Sequence, residues 1–186
     1  SRQNILVDNH GRTINYLRLS VTDRCNYRCT YCMPEKMKFL PKKDLLTFEE
    51  MDHLCSLFIA RGITNIRWSG GEPLVRKGIL KFISNLSRYI VSGDLNEITL
   101  TTNGSQLKSL SEDLFRSGVR RVNVSLDSLS EKKFSKITRR DDLRNVIEGL
   151  EAAKKAGLKI KINTVVIKNK NLDEIDNIIS WSHKNN

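Results

Sequence analysis

The chain has 186 residues, of which 39% are hydrophobic and 28% charged, enough apolar material for one domain to bury a core without cross-links. No apolar run reaches the length of a membrane helix, and Ser1-Arg2-Gln3-Asn4-Ile5 lacks a signal-peptide core, so a cytoplasmic protein without a membrane partner is expected. The net charge of +11 favours an anionic partner, a nucleic acid or a phosphorylated small molecule, although a solvated basic surface would explain it as well. Basic residues are not interleaved with aromatics and no RNA-recognition signature is present, so nucleic acid is not the expected partner.

A β-type run at 16–21 opens the series of elements. Thr47, followed three residues later by Glu50, marks the cap of a helix over 48–61, with an apolar stripe of Met51, Leu54, Cys55 and Phe58. Further strands are predicted at 65–68, 97–100, 121–124 and 159–167, and further helices at 77–91, 107–117, 142–156 and 172–184. Gly62, Gly118 and Gly157 stand where helices end and strands begin, as left-handed caps.

No Pro/Gly/Ser-rich linker divides the chain, so residues 1–186 read as a single domain. Alternation of strand and helix implies parallel strands with right-handed crossovers. A doubly wound sheet fits this periodicity as well as a barrel does. The polar clusters Ser69-Gly70-Gly71-Glu72, Thr101-Thr102-Asn103-Gly104 and Ser125-Leu126-Asp127 each follow a strand directly. A barrel gathers such residues at its C-terminal mouth, whereas a doubly wound sheet divides them around one switch point. An open or partial barrel is the expected α/β fold.

Three of the four cysteines, Cys25, Cys29 and Cys32, lie within eight residues just after the first strand. Electron-transfer 4Fe–4S clusters take four cysteines, so three leave one iron free for a substrate or cofactor. A zinc knuckle would want a fourth Cys or His, and His10, His53 and His183 are not at finger-like spacing. Cys55 falls on the apolar stripe of its helix and reads as core.

The three-then-two cysteine spacing, the aromatic Tyr31 and Gly70-Gly71-Glu72-Pro73 after the second strand together resemble the radical S-adenosylmethionine (SAM) superfamily. That resemblance implies a 4Fe–4S cluster on Cys25, Cys29 and Cys32, with SAM chelating the open iron. It also implies a partial (β/α)6 TIM-like barrel, here stopping before its last strand. The glycines would let backbone carbonyls approach the SAM ammonium.

Further blocks narrow the resemblance: Leu17-Arg18-Leu19-Ser20-Val21-Thr22-Asp23-Arg24, Cys32-Met33-Pro34, Thr101-Thr102-Asn103-Gly104, Val122-Asn123-Val124-Ser125 and Lys161-Ile162-Asn163-Thr164. In order and spacing they resemble the GTP 3′,8-cyclase family of molybdenum cofactor (molybdopterin) biosynthesis. By that resemblance Tyr31, Gly71 and Ser125 contact SAM, while Arg18, Arg67, Thr101 and Lys161 contact GTP. An inward Arg18 between two leucines would need an anionic partner. The resemblance further implies a reduced flavodoxin or ferredoxin as electron donor, the next molybdopterin enzyme as a partner, and a second 4Fe–4S cluster on a C-terminal segment, and it leaves a homodimer open. Trp68-Ser69, Lys77-Gly78 and Arg139 depart from the family pattern, Arg139 standing where glycine is usual. The competing readings are a radical SAM peptide or RNA modifier and a basic nucleic-acid-binding domain with a structural metal.

Overall fold

The computed structural model describes residues 5–185, so most of the N-terminal stretch read for a leader lies outside the described residues. Five parallel strands, β1 (Tyr16–Ser20), β2 (Asn65–Ser69), β3 (Glu97–Thr102), β4 (Arg121–Ser125) and β5 (Lys159–Asn163), form one sheet in sequential order. That order settles the topology. A doubly wound sheet reverses its strand order at a switch point, whereas strands added one after another in a single direction belong to a barrel or part of one.

The connecting helices are α1 (Phe48–Ala60), α2 (Ile79–Leu86), α3 (Arg88–Val91), α4 (Leu107–Arg116), α5 (Glu131–Thr138), α6 (Leu143–Lys155) and α7 (Ile175–Lys184). Thr47 and Glu50 form the predicted reciprocal cap, satisfying two orphan N–H groups at the start of α1. Gly62, Gly118 and Gly157 all have positive φ between a helix and the following strand.

Three expectations change. The helix predicted at 77–91 begins at Ile79, after Gly78 in the left-handed region, and is interrupted at Ser87. The strand predicted at 159–167 stops at Asn163, where the chain leaves the ladder: the Thr164 hydroxyl donates to the Leu126 carbonyl and the Val165 N–H to Asp127. α5 is absent from the prediction altogether.

Each strand alternates. Ile66, Trp68, Ile98, Leu100, Val122 and Val124 are at most 1% exposed and face the helices. The opposite face is polar throughout. Register places Arg18, Arg67, Thr99, Arg121 and Lys159 in one row across the five strands, with Thr101, Asn123 and Lys161 in the next row toward the C-terminal ends. Barrel interiors are ordinarily filled with branched apolar side chains. An interior face of cations, hydroxyls and an amide is suited to a polar ligand instead.

Candidate functional site

The cysteine loop leaves β1 and is held from three sides. The Arg28 and Thr30 N–H groups donate to the carbonyls of Thr138 and Ile137 at 3.0 and 2.8 Å, which docks the loop on the end of α5. From the β3 end, Asn103 Nδ2 donates to Asn26 Oδ1 at 2.8 Å, and Asn26 Nδ2 donates to Ser105 Oγ at 2.9 Å. Tyr27 is buried edge-on against Phe134, its hydroxyl donating to Asp142 at 2.5 Å. Burial first, then the Asp142 carboxylate, raises that phenol and keeps it protonated. Within the loop the Cys25 thiol also accepts from Tyr27 N–H and from Asn103 Nδ2.

Cys25 and Cys29 are half-buried, Cys32 is exposed and Cys55 is buried in the core. Burial pushes the Cys29 thiol up to about 11, with Asp127 and the other two loop thiols adding to the rise. Cys25 is raised chiefly by burial. The three cysteines share one short loop, in which the Cys32 N–H donates to the Cys29 carbonyl at 2.9 Å. Among the described residues, no three His, Cys, Asp or Glu side chains converge as ligands of a single ion. A zinc site requires such convergence. A cubane does not, because each thiolate takes a different iron.

The glycine turn has a second explanation that the sequence did not reveal. A Cβ on Gly70 would lie 2.4 Å from the Thr22 carbonyl oxygen, and one on Gly71 only 2.1 Å from that of Arg24. Gly71 and Glu72 N–H groups donate to those same two carbonyls, at 2.7 and 2.8 Å. The turn after β2 is thus bonded to the root of the cysteine loop, and the missing side chains are required by that contact before any ligand is considered.

Glu72, part of the Gly70-Gly71-Glu72-Pro73 motif but given no role of its own by the sequence, is 1% exposed. Its carboxylate accepts from Leu74 N–H, the Thr102 hydroxyl and Asn103 N–H, at 3.1, 2.8 and 2.7 Å. Burial nevertheless outweighs these donors and pushes its acid up to about 7. Glu72 ties the β2 turn to the β3 end, and Asn103 carries the tie onward to Cys25 and Asn26.

Tyr31 lies with a partly exposed ring, its hydroxyl donating to Asp127 at 2.6 Å. The buried Asp127 also accepts from Val165 N–H, so this phenol ties the cysteine loop to the segments after β4 and β5. Ser125 ends β4 opposite Asn163.

Arg18 is exposed rather than enclosed among apolar side chains; its Nε donates to Ser69 Oγ at 3.2 Å. The pleat accounts for the difference: Leu17 and Leu19 face the helices, and Arg18 stands on the polar face. Arg67 stacks its guanidinium over Tyr16, with its buried Nε unpartnered. Thr101 and Lys161 flank Asn123 in register. From β2 to β5 is three strand spacings, about 14 Å along a sheet. Arg67 and Lys161 are therefore well separated on this face. An apolar groove also runs beside β5, lined by Leu150, Ile160, Ile162, Ile178 and Trp181. Lys161 and Thr164 also line it, so it adjoins the polar face at β5.

A parallel βα sheet carrying a three-cysteine loop over a polar inner face defines a class: the chain matches the radical SAM superfamily over residues 19–182 and belongs to it. More particularly, it is 58% identical over 178 residues to proteins of Brucella ovis and Brucella canis named GTP 3′,8-cyclase, and 57% identical to that of Brucella abortus strain S19. These alignments cover 96% of this chain and 52% of each relative, so the chain spans about half the length of the curated relatives it matches. Among solved structures it resembles Streptococcus suis SuiB bound to S-adenosylmethionine (TM-score 0.75, 19% identity, 92% of this chain and 38% of that one). It also resembles anSMEcpe with bound AdoMet (TM-score 0.72, 20% identity, 90% and 49%). At such identities the likeness concerns the fold.

Proposed function

We propose that this chain is the SAM- and cluster-binding portion of a GTP 3′,8-cyclase, acting in the first step of molybdenum cofactor synthesis. The observation that carries the reading is the junction of a braced three-thiol loop with a sheet face bearing Arg18, Arg67, Thr101 and Lys161. Sequence identity to named cyclases supports the choice of GTP over other radical SAM substrates.

Cys25, Cys29 and Cys32 would hold a 4Fe–4S cluster: three thiols in one region, with no fourth, suit a cubane that keeps one iron open. When bound, the cluster supplies the electron that makes SAM a source of the 5′-deoxyadenosyl radical. The remaining work falls to the chain's own residues. The glycine turn and Ser125 present backbone and hydroxyl groups to SAM, and Tyr31, braced by Asp127, limits its movement. Arg18, Arg67 and Lys161 offset the negative charge of the triphosphate, and their spacing holds the nucleotide extended. Thr101 adds a neutral hydrogen bond. Orientation is the main demand, since a radical attacks whichever C–H is nearest. A reduced flavodoxin or ferredoxin as donor, delivery of product to the next enzyme of the pathway, and a cytoplasmic location complete the proposal. No described helix is long and apolar enough to cross a membrane.

The test is calorimetry on the full chain. Arg18→Ala is expected to weaken GTP binding several-fold and leave SAM binding nearly unchanged. Equal weakening of both would make Arg18 a structural residue and remove the support for a nucleotide on this face.

A further inference from the structure

Asn123 is the polar side chain that the described contacts leave unexplained. It lies at the centre of β4, 1% exposed, and neither its Nδ2 nor its Oδ1 has a hydrogen-bond partner. Leaving a buried amide without partners costs free energy on both its donor and its acceptor. Valine would serve a β-strand core better at this place, as it does at Val122 and Val124 on either side. The unmet bonds therefore point to a ligand.

The surroundings indicate which kind. Asn123 pairs in register with Thr101 on one side and Lys161 on the other. It stands two residues before Ser125, one pleat repeat, or about 6.6 Å, deeper on the same face. Of the cations on this face, Lys161 stands beside Asn123 in the same row, while Arg18, Arg67, Lys159 and the Glu97-paired Arg121 lie in the neighbouring row. Phosphate oxygens only accept hydrogen bonds at neutral pH, and they would leave Oδ1 unmet. A hydroxyl both donates and accepts and would satisfy either end of the amide.

We infer that Asn123 is a substrate-positioning residue that hydrogen-bonds a ribose hydroxyl of the bound nucleotide. The inference rests on the proposal that GTP occupies this face. The reacting atoms of a 3′,8-cyclisation are C3′ of the ribose and C8 of the base, so the ribose must lie near the SAM site. A neutral amide just below Ser125 suits that part of the ligand, while the cations take the phosphates. Asn123 acts by fixing which ribose hydrogen faces the radical source and takes no part in proton or electron transfer.

The experiment is a ligand–protein cycle on the full chain with its cluster assembled. Binding of GTP, 2′-deoxyGTP and 3′-deoxyGTP is measured for the natural protein, Asn123→Leu and the smaller, still polar Asn123→Ser. SAM binding and the unfolding midpoint serve as controls for folding. The natural protein is expected to bind GTP about 5- to 30-fold more tightly than one of the deoxynucleotides. Asn123→Leu should lose most of that preference while SAM binding is kept, and Asn123→Ser should retain part of it. If GTP binds the natural protein but Asn123→Leu, or Asn123→Ser should the leucine variant not fold, discriminates as well as the natural protein, Asn123 is not a ribose ligand. Failure of the natural protein to bind GTP would overturn the substrate assignment itself, and this inference with it.

Discussion

Gly71 and Glu72 show how much of the site depends on single backbone and side-chain positions. A methyl group at residue 71 would lie 2.1 Å from a backbone carbonyl that cannot swing aside. Gly71→Ala should therefore destabilise the fold by about 3 kcal/mol or more, seen as a lower urea midpoint with an unchanged slope. A midpoint equal to that of the natural protein would show that the turn can open. Burial raises the Glu72 acid in the folded protein to about 7, above the ordinary carboxylic acid value of 4.5. The folded state thus holds a proton that the unfolded state releases, and stability falls as pH rises from 4.5 to 7. Above that range the loss is complete. The natural protein should show this slope in its unfolding free energy, and Glu72→Gln should show much less of it. Equal slopes would place the titration elsewhere. The sequence made Cys25, Cys29 and Cys32 legible because their spacing is chemical. It did not make Glu72 legible, because its three partners come from two separate turns. Nor could it separate the two uses of Gly71, since contact with Arg24 and contact with a ligand both demand glycine.

At the scale of elements, α5 is the piece that sequence periodicity overlooked and the loop most needs. Phe134 and Ile137 are its buried apolar residues, with Ser130 as its cap, too few apolar positions for a convincing helical repeat. Its end accepts the backbone of the cysteine loop, and Phe134 supports Tyr27. Phe134→Ala should cost about 3–5 kcal/mol. It should also lower the iron retained after anaerobic reconstitution and gel filtration. Lost stability with full iron retention would mean the loop holds itself. Arg139 ends α5 with φ of 57°, a left-handed conformation that favours glycine. Its guanidinium recovers something by donating to the Arg28 and Met33 carbonyls at 3.0 and 3.2 Å. The departure from glycine at this position thus binds the loop as it strains the cap. The opposite error occurred after β5. Thr164, Val165 and Val166 favour strands, but Asp127 and Asn171 capture the backbone there with better-placed polar partners, and tertiary bonding overrides propensity.

Across the whole molecule the sheet separates two environments. Its apolar face and the helices make the core, and its polar face holds the residues assigned to the nucleotide. The succession of βα units was visible in the sequence, whereas the pleat that puts Arg18 on the polar face, away from its flanking leucines, was not read from it. The sequential strand order that distinguishes barrel from doubly wound sheet was not visible either, because local patterning does not encode which strands become neighbours. A site in which spread cations meet a triphosphate should bind more weakly as ionic strength rises. GTP affinity of the full chain should fall with added salt, whereas SAM affinity, with less charge to offset, should fall less; parallel losses would argue that the two ligands are not so divided.

The three loop thiols are expected to hold a cluster with one open iron, while Cys55 serves only the core. Anaerobic iron and sulfide analysis of this 186-residue chain, joined to electron paramagnetic resonance before and after SAM is added, tests it directly. About four iron and four sulfide are expected in the natural chain and in Cys55→Ala, which should lose only about 1 kcal/mol of packing. Cys29→Ala should lose the cluster, and the reduced signal of the natural chain should change when SAM binds. Iron lost from Cys55→Ala but kept in Cys29→Ala, or a signal indifferent to SAM, would contradict the account.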